Sequence, residues 1–340
     1  MKILAICKLY AHKNKSGGEL YLHHLLKELQ NRNADVSVLL PKCKALETFE
    51  YDSIKGAETN EEYWKHYINT ADLIITQLDF SAEVMDYCLK IEKPVVFIMH
   101  CHIPRDNKYI KNPKIIKVFN SKYVYKTALK ETLDMQGKSF IIYPYTDYNK
   151  YKKYATKDLK YRQYITIINP QRIKGADVFY ELAKAFPKKK FLVVEGGYYP
   201  HQQLIKYDLP NVSIQKNTDN IIEDVYLRSK IVLQPSRYET YGMVASECRA
   251  MGLPCIVNYN SEGLRENIGT IGLYAKTPEK DATKKTIKSY IDLINALDHQ
   301  SNYILWSNYL LEDAERKYIE QHNQVKEFID YLEGPPPQCS

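Results

Sequence analysis

A chain of 340 residues exceeds the usual length of one domain, and its 44% hydrophobic and 12% aromatic content excludes general disorder. The formal charge of +7 is uneven: residues 1–164 carry 27 Lys/Arg against 19 Asp/Glu, and residues 165–340 carry 21 against 22. No apolar run reaches the roughly 20 residues of a membrane-spanning helix. Seven scattered cysteines (Cys7, Cys43, Cys88, Cys101, Cys248, Cys255, Cys339), without a Cys-x-x-Cys pair, argue against structural zinc and for buried thiols in a reducing, cytoplasmic compartment.

The opening "MKILAICKLY" breaks its apolar run at Lys8 and no small-residue cleavage site follows, so it reads as a buried strand and not as a signal peptide. Short runs rich in Val, Ile and Leu then alternate with stretches of helical period, the pattern of parallel sheets with crossover helices. In the first half, strands are predicted at 2–9, 35–40, 72–78, 94–99, 115–119 and 139–143. Between them "GELYLHHLLKELQNR" gathers Leu20, Leu22, Leu25, Leu26 and Leu29 near one helical stripe, and "SAEVMDYCLKIE" starts at a Ser81 N-cap. After Pro144, "YTDYNKYKKYATKDLKYRQ" shows no buried periodicity and reads as an interdomain linker. The alternation restarts with strands at 164–169, 190–195, 211–215, 230–234 and 254–258, and helices near 175–186, 219–228 and 243–251. A helical tail, "ILWSNYLLEDAERKYIEQHNQVKEFIDYLE", precedes "GPPPQCS", which its Gly and Pro keep from being helical.

Much of the excess charge lies between 90 and 162, where "KYIKNPKIIKVFNSKYVYKTALK" repeats lysine every three to five residues. The ordinary reading is a solvated face; the functional one is an anionic membrane surface or an acidic acceptor.

Candidate chemistry gathers after the predicted strands. "KLYAHKNKSGGELYLHHLL" sets Gly17 and Gly18 before a helix, where amides can approach a phosphate with no Cβ in the way, although such a pair is most often a turn. "VVFIMHCHIP" leaves His100 and His102 at a strand's carboxyl end, the place of a wall residue or of a catalytic or acceptor contact. "INPQRIKGAD" puts Arg172 and Lys174 in a strand-to-helix turn. "SRYETYGMVASECRAMGLPCIVN" has Glu239 in a loop and Glu247 in a helix that starts near Gly242 and stops at Gly252. The amides of Thr240, Tyr241, Gly242 and Met243 would then face an anion, and Glu247 would accept from a diol such as a ribose. Two carboxylates eight apart are common on exposed helices, but two cations, a helix N-terminus and diol acceptors together suit a nucleotide diphosphate sugar.

Four segments, "SGGELYLHHLLKEL", "VVFIMHCH", "INPQRIKGADVFYELAKAFPKKKFLVVEGG" and "VLQPSRYETYGMVASECRAMGLPCIVN" with its sequel "EGLRENIG", resemble the family 4 glycosyltransferases over nearly the whole chain. These are retaining enzymes of the GT-B fold, an α/β architecture of two Rossmann-like domains facing a central cleft. The resemblance implies an acceptor-side domain over 1–150, a nucleotide-sugar domain over 160–310, a C-terminal helix at about 315–333 crossing back to the first domain, and a flexible tail at 334–340. It implies that Glu247 binds the donor ribose, that Glu239 lies near the transferred sugar, and that amides around Gly242 and Met243 contact sugar and diphosphate. His100 stands where the family has a histidine beside acceptor and donor sugar. The family commonly leaves four residues between its phosphate-binding Arg and Lys; here only Ile173 intervenes, so the role passes to Lys174 and leaves Arg172 open.

The catalytic candidates are therefore Glu239, His100 and Lys174, and the donor-binding candidates Gly17, Gly18, Arg172, Lys174, Glu239, Thr240, Tyr241, Gly242, Met243 and Glu247. No Asp-x-Asp occurs, which favours protein cations and amides over a metal ion for the charge that develops on the leaving β-phosphate. No cofactor is expected. The expected partners are a nucleotide sugar, a glycan, glycolipid or glycoprotein acceptor, and peripherally an anionic membrane, with no nucleic acid. Against a nicotinamide-dependent dehydrogenase stands the missing third glycine of Gly-x-Gly-x-x-Gly. A catalytically silent nucleotide-sugar-binding protein would keep the same fold, and a nucleic-acid-binding module would explain the interleaved lysines and tyrosines at 108–164.

Overall fold

The computed structural model describes residues 1–42, 46–60, 63–155, 161–196, 200–206, 208–270 and 272–334. The chain forms two compact units, Met1–Tyr145 with Glu320–Ser340, and Thr146–Ile319.

The first unit is built on β1 (Lys2–Ile6), β2 (Asp35–Pro41), β3 (Glu47–Tyr51), β4 (Ile54–Thr59), β5 (Leu73–Gln77), β6 (Val95–Met99), β7 (Ile115–Phe119) and β8 (Ser139–Ile141). They lie in the order β3-β4-β2-β1-β5-β6-β7-β8. Every pairing is parallel except that of β3 with β4. Order reverses between β1 and β5, the switch point at which open parallel sheets receive ligands. Apolar clusters cover both faces. Tyr21, Leu22, Leu25, Leu26 and Leu29 of helix Gly17–Asn31 pack on one face together with Val325, Phe328 and Ile329. Val84, Met85 and Cys88 of helix Ser81–Lys90 pack on the other.

The second unit holds β9 (Tyr164–Ile168), β10 (Lys190–Val194), β11 (Val212–Gln215), β12 (Ser229–Gln234), β13 (Cys255–Asn258) and β14 (Leu273–Ala275). Their order is β11-β10-β9-β12-β13-β14, all parallel, with its switch point between β9 and β12.

The strands predicted from apolar runs are present within a residue or two, apart from the first, which ends at Ile6. Strands β3, β4 and β14 were not predicted. "ETFEY" of β3 is mostly exposed and reverses into β4 through Asp52 and Ser53, both at positive φ, so no buried run marks it. Three-residue β14 is too short to show a period. Ser81 is not an N-cap: the cap is Phe80 at φ +76°, and Ser81 is the buried first residue of the helix. The interval read as a linker also needs correcting. Helix Tyr148–Lys152 buries Tyr148 and Tyr151 in the core of the second unit, where Arg162 is buried as well; residues 156–160 lie outside the described residues. The tail expected at 334–340 also lies outside them from residue 335 on. The terminal helix runs from Gln300 to Glu333, with Ala314 in a core of the second unit and Phe328 in one of the first. Among the described residues no helix is long and apolar enough to cross a membrane.

Candidate active site

Lys174 ends a tight turn, Arg172–Lys174, after β9, and helix Ala176–Ala185 follows. Gly175 joins them at φ +83°, where a Cβ would lie 2.5 Å from Pro235 Cγ; only glycine lets the turn sit this close to the chain leaving β12. The loop after β12 carries Glu239. Lys174 Nζ donates to Glu239 Oε1 at 2.6 Å, and Nε2 of Gln234, the last residue of β12, donates to the same oxygen at 3.1 Å. With side chains 29% and 14% exposed, Lys174 and Glu239 are a partly shielded, charge-assisted pair at the carboxyl edge of the sheet.

Helix Met243–Ala250 starts at Gly242, whose φ of +92° and whose contact with Leu264, 2.4 Å from an ideal Cβ, again admit only glycine. Its first N–H groups have no acceptor within the helix. Thr240 and the fully buried Tyr241 lead into it. Asn267 of helix Glu262–Ile268 fixes the approach, its Nδ2 donating to the carbonyls of Tyr241 at 3.0 Å and Gly242 at 2.9 Å. Gly263 allows that helix to close on the main chain of Glu239 and Thr240.

Glu247 lies in the second turn of helix Met243–Ala250 and accepts from the hydroxyl of Tyr226. Burial raises its carboxyl above the ordinary range, although the hydroxyls of Tyr226 and Tyr151 work in the opposite direction. It shares no partner with Glu239. Arg172 does not join Lys174: it is exposed and pairs with the exposed Asp281.

The remaining candidates belong to the first unit. His100 follows β6 and its Nε2 bonds Gln77 Oε1, at the end of β5, at 2.7 Å. Burial lowers the imidazole from 6.5 to about 4, so the ring is neutral at pH 7, Nε2–H donates to Gln77 and Nδ1 remains an acceptor. Tyr21 meets it edge-on at 5.1 Å. Gly18 lies against the same ring, an ideal Cβ being 3.0 Å from Leu78 Cδ1 and 3.7 Å from His100 Nε2, whereas nothing lies within 4 Å of one at Gly17. Of the glycine pair only Gly18 is held in close packing. His102 bonds Asn107 Oδ1 at 2.8 Å.

Sequence reasoning missed Gln234 and Asn267. A polar residue closing a buried strand was the available signal for Gln234; nothing in the pattern marked Asn267. Among the described residues no group of three or more His, Cys, Asp or Glu side chains is gathered as metal ligands.

Comparison with solved structures identifies the fold. A glycosyltransferase from Rickettsia africae superposes with a TM-score of 0.76 at 15% identity, over 98% of this chain and 99% of that one. A sucrose-phosphate synthase from Thermosynechococcus elongatus gives 0.75 at 15%, over 98% and 100%. Anabaena HepE in complex with UDP and glucose gives 0.76 at 16%, over 97% and 99%. The fold is GT-B. Residues 147–304 match the family model for glycosyl transferases group 1, so the chain carries that domain and is a glycosyltransferase. A search of curated proteins finds no match.

Proposed function

We propose that the chain is a retaining, family 4 type enzyme that moves a sugar from a nucleotide diphosphate sugar to a hydroxyl acceptor without a metal ion, in the cytoplasm. The observation that carries the reading is the Lys174–Glu239–Gln234 cluster beside the glycine-started helix Met243–Ala250, inside the group 1 domain. Support comes also from HepE, solved with UDP-glucose, and from trehalose-6-phosphate synthase, solved with UDP-2-fluoro-glucose.

The roles follow from chemistry. Departure of the nucleotide leaves negative charge on the β-phosphate, which the Lys174 ammonium and the first amides of the helix stabilise as it develops. Glu239 orients the ammonium and accepts from a hydroxyl of the transferred sugar. Glu247, already steadied by two tyrosines, takes the ribose diol. The acceptor hydroxyl attacks from the leaving-group side and its proton passes to the departing phosphate, so no side chain acts as nucleophile. His100, neutral, contributes an acceptor at Nδ1 and not an acid. A glycan, glycolipid or glycoprotein is the acceptor class, with peripheral contact to an anionic membrane.

A thermal-shift panel of UDP, GDP and ADP and their sugar conjugates selects the donor, since bound ligand raises apparent stability. Turnover with that donor is expected to persist in EDTA; loss in EDTA with recovery in Mn²⁺ or Mg²⁺ would refute the metal-free route. Lys174→Ala is expected to reduce turnover by the equivalent of about 1.5–3 kcal/mol, the value of a hydrogen bond to a charged group.

A further inference from the structure

We propose that Arg237 is a positioning residue that sets Lys174 against Glu239 and acts on the reaction only through that pair. The proposal rests on the donor-site reading of Lys174 given above.

Arg237 lies two residues before Glu239, is 7% exposed in its side chain, and binds three separate segments. Its guanidinium grips Asp177, in the first turn of helix Ala176–Ala185, from Nη1 at 2.8 Å and Nη2 at 2.7 Å. Nη1 also donates to the carbonyl of Arg172 at 2.7 Å, inside the turn that ends at Lys174. Nε faces the carbonyls of Pro278, Glu279 and Lys280 at 3.0 Å, and Nη2 also donates to that of Lys280. The Arg237 main-chain N–H adds a bond to the Ile173 carbonyl at 2.8 Å. Two successive carbonyls before Lys174 are thus held by one residue of the Glu239 loop. Asp177 answers in kind: its carboxyl is held below the ordinary range by Arg237, against the effect of burial.

A planar fork with five N–H donors can serve acceptors from several directions at once, which a lysine ammonium on a flexible stem cannot reproduce. The exposed Arg172–Asp281 pair joins the same turn to the segment after Lys280. This gives the two arginines separate tasks from Lys174: they hold the turn, and Lys174 faces the ligand.

A double-mutant cycle tests the idea with UDP-glucose as first donor and the panel-selected donor otherwise. Arg237→Lys is expected to lower kcat at least tenfold at a temperature where the variant is fully folded. In a Lys174→Ala background the same change is expected to cost less than twofold, because the residue it positions is gone. A full tenfold loss in both backgrounds, or wild-type turnover of Arg237→Lys alone, would overturn the proposal. If Lys174→Ala itself turns over normally, the donor-site reading fails, which is a different result. Hydrogen exchange on the ligand-free chain needs no donor. There Arg237→Lys is expected to speed exchange at the Lys174 and Gly175 amides at least tenfold and to leave the amides from Tyr180 onward unchanged; unaltered exchange in the turn sinks the idea. If Arg237→Lys fails to fold, Asp177→Asn, which weakens one side of the grip, is held to the same outcomes.

Discussion

Glu239 and Glu247 share a short segment but meet different groups, one in a loop against Lys174 and Gln234, the other on a helix against two tyrosines. On the proposed reading they should fail differently. Glu247→Gln keeps size and removes charge where a ribose diol would bind, so free nucleotide and donor are both expected to weaken by about 1.5–3 kcal/mol. Glu239→Gln is expected to spare free nucleotide and lower turnover, since contacts to the transferred sugar that strengthen in the transition state appear in the rate. Calorimetric titration with the free nucleotide, beside turnover at saturating donor, separates the cases. A reversed pattern would exchange the two assignments, and no change in either quantity would leave both glutamates with a structural role alone. The sequence announced these residues because Gly242 stands between them and Gly252 follows, two glycines whose conformations the local turns require. Arg237 stayed hidden because its acceptors are mostly main-chain carbonyls, and carbonyls leave no mark in a sequence.

The elements most legible in advance were those whose burial has a period. Continuous apolar strands such as Val95–Met99 and the leucine face of helix Gly17–Asn31 are readable because both faces of a parallel sheet must be covered. The exposed hairpin strand β3 and the short helix Tyr148–Lys152, which buries two tyrosines among lysines, lack that signature. The basic stretch is also resolved at this scale. Lys108 and Lys114 are spent on Asp86 and Glu92, each at 3.0 Å, and Lys117 is buried. Helix Lys122–Thr132, by contrast, sets Lys122, Lys126 and Lys130 at four-residue spacing on one stripe, with Leu129 42% and Leu133 87% exposed nearby. If the enzyme works at an anionic membrane, this is the element that meets it, each lysine adding about 1 kcal/mol near such a surface. Sedimentation with phosphatidylglycerol vesicles at low salt is expected to fall as salt rises and to vanish in Lys126→Glu/Lys130→Glu. Equal, negligible binding to phosphatidylglycerol and phosphatidylcholine vesicles would make the helix a solvated face.

At the scale of the whole molecule the two units carry titrating groups of different kinds. In the first, burial lowers His12, His23 and His100. Their folded values lie below the unfolded one, so the unfolded state binds more protons as pH falls below about 6.5, and stability drains away toward pH 4. Asp106, raised by burial, returns a part of it on protonation. In the second, Asp177 and Asp298 are held low by arginine and lysine partners against the effect of burial, so their contribution persists until pH falls below about 3.8. Glu247, raised by burial, has the opposite sign and favours the second unit on mild acidification. The first unit is therefore expected to unfold first between pH 6.5 and 4. The chain's two tryptophans, Trp64 in the first unit and Trp306 in the second, make this measurable: Trp306→Phe reports the first unit and Trp64→Phe the second. Coincident midpoints across that pH range would contradict the assignment. His100→Asn is expected to flatten part of the first unit's decline.

The terminal helix has a consequence for synthesis. Val325, Phe328 and Ile329 complete a core whose other members lie before residue 143, yet the whole of the second unit is translated before them. The first unit therefore emerges from the ribosome early and waits, with the apolar side that those residues cover still open to water, until the last-made turns of the helix arrive. A chain truncated after Ile319 should hold a folded second unit and a first unit that chaperones and proteases can still recognise.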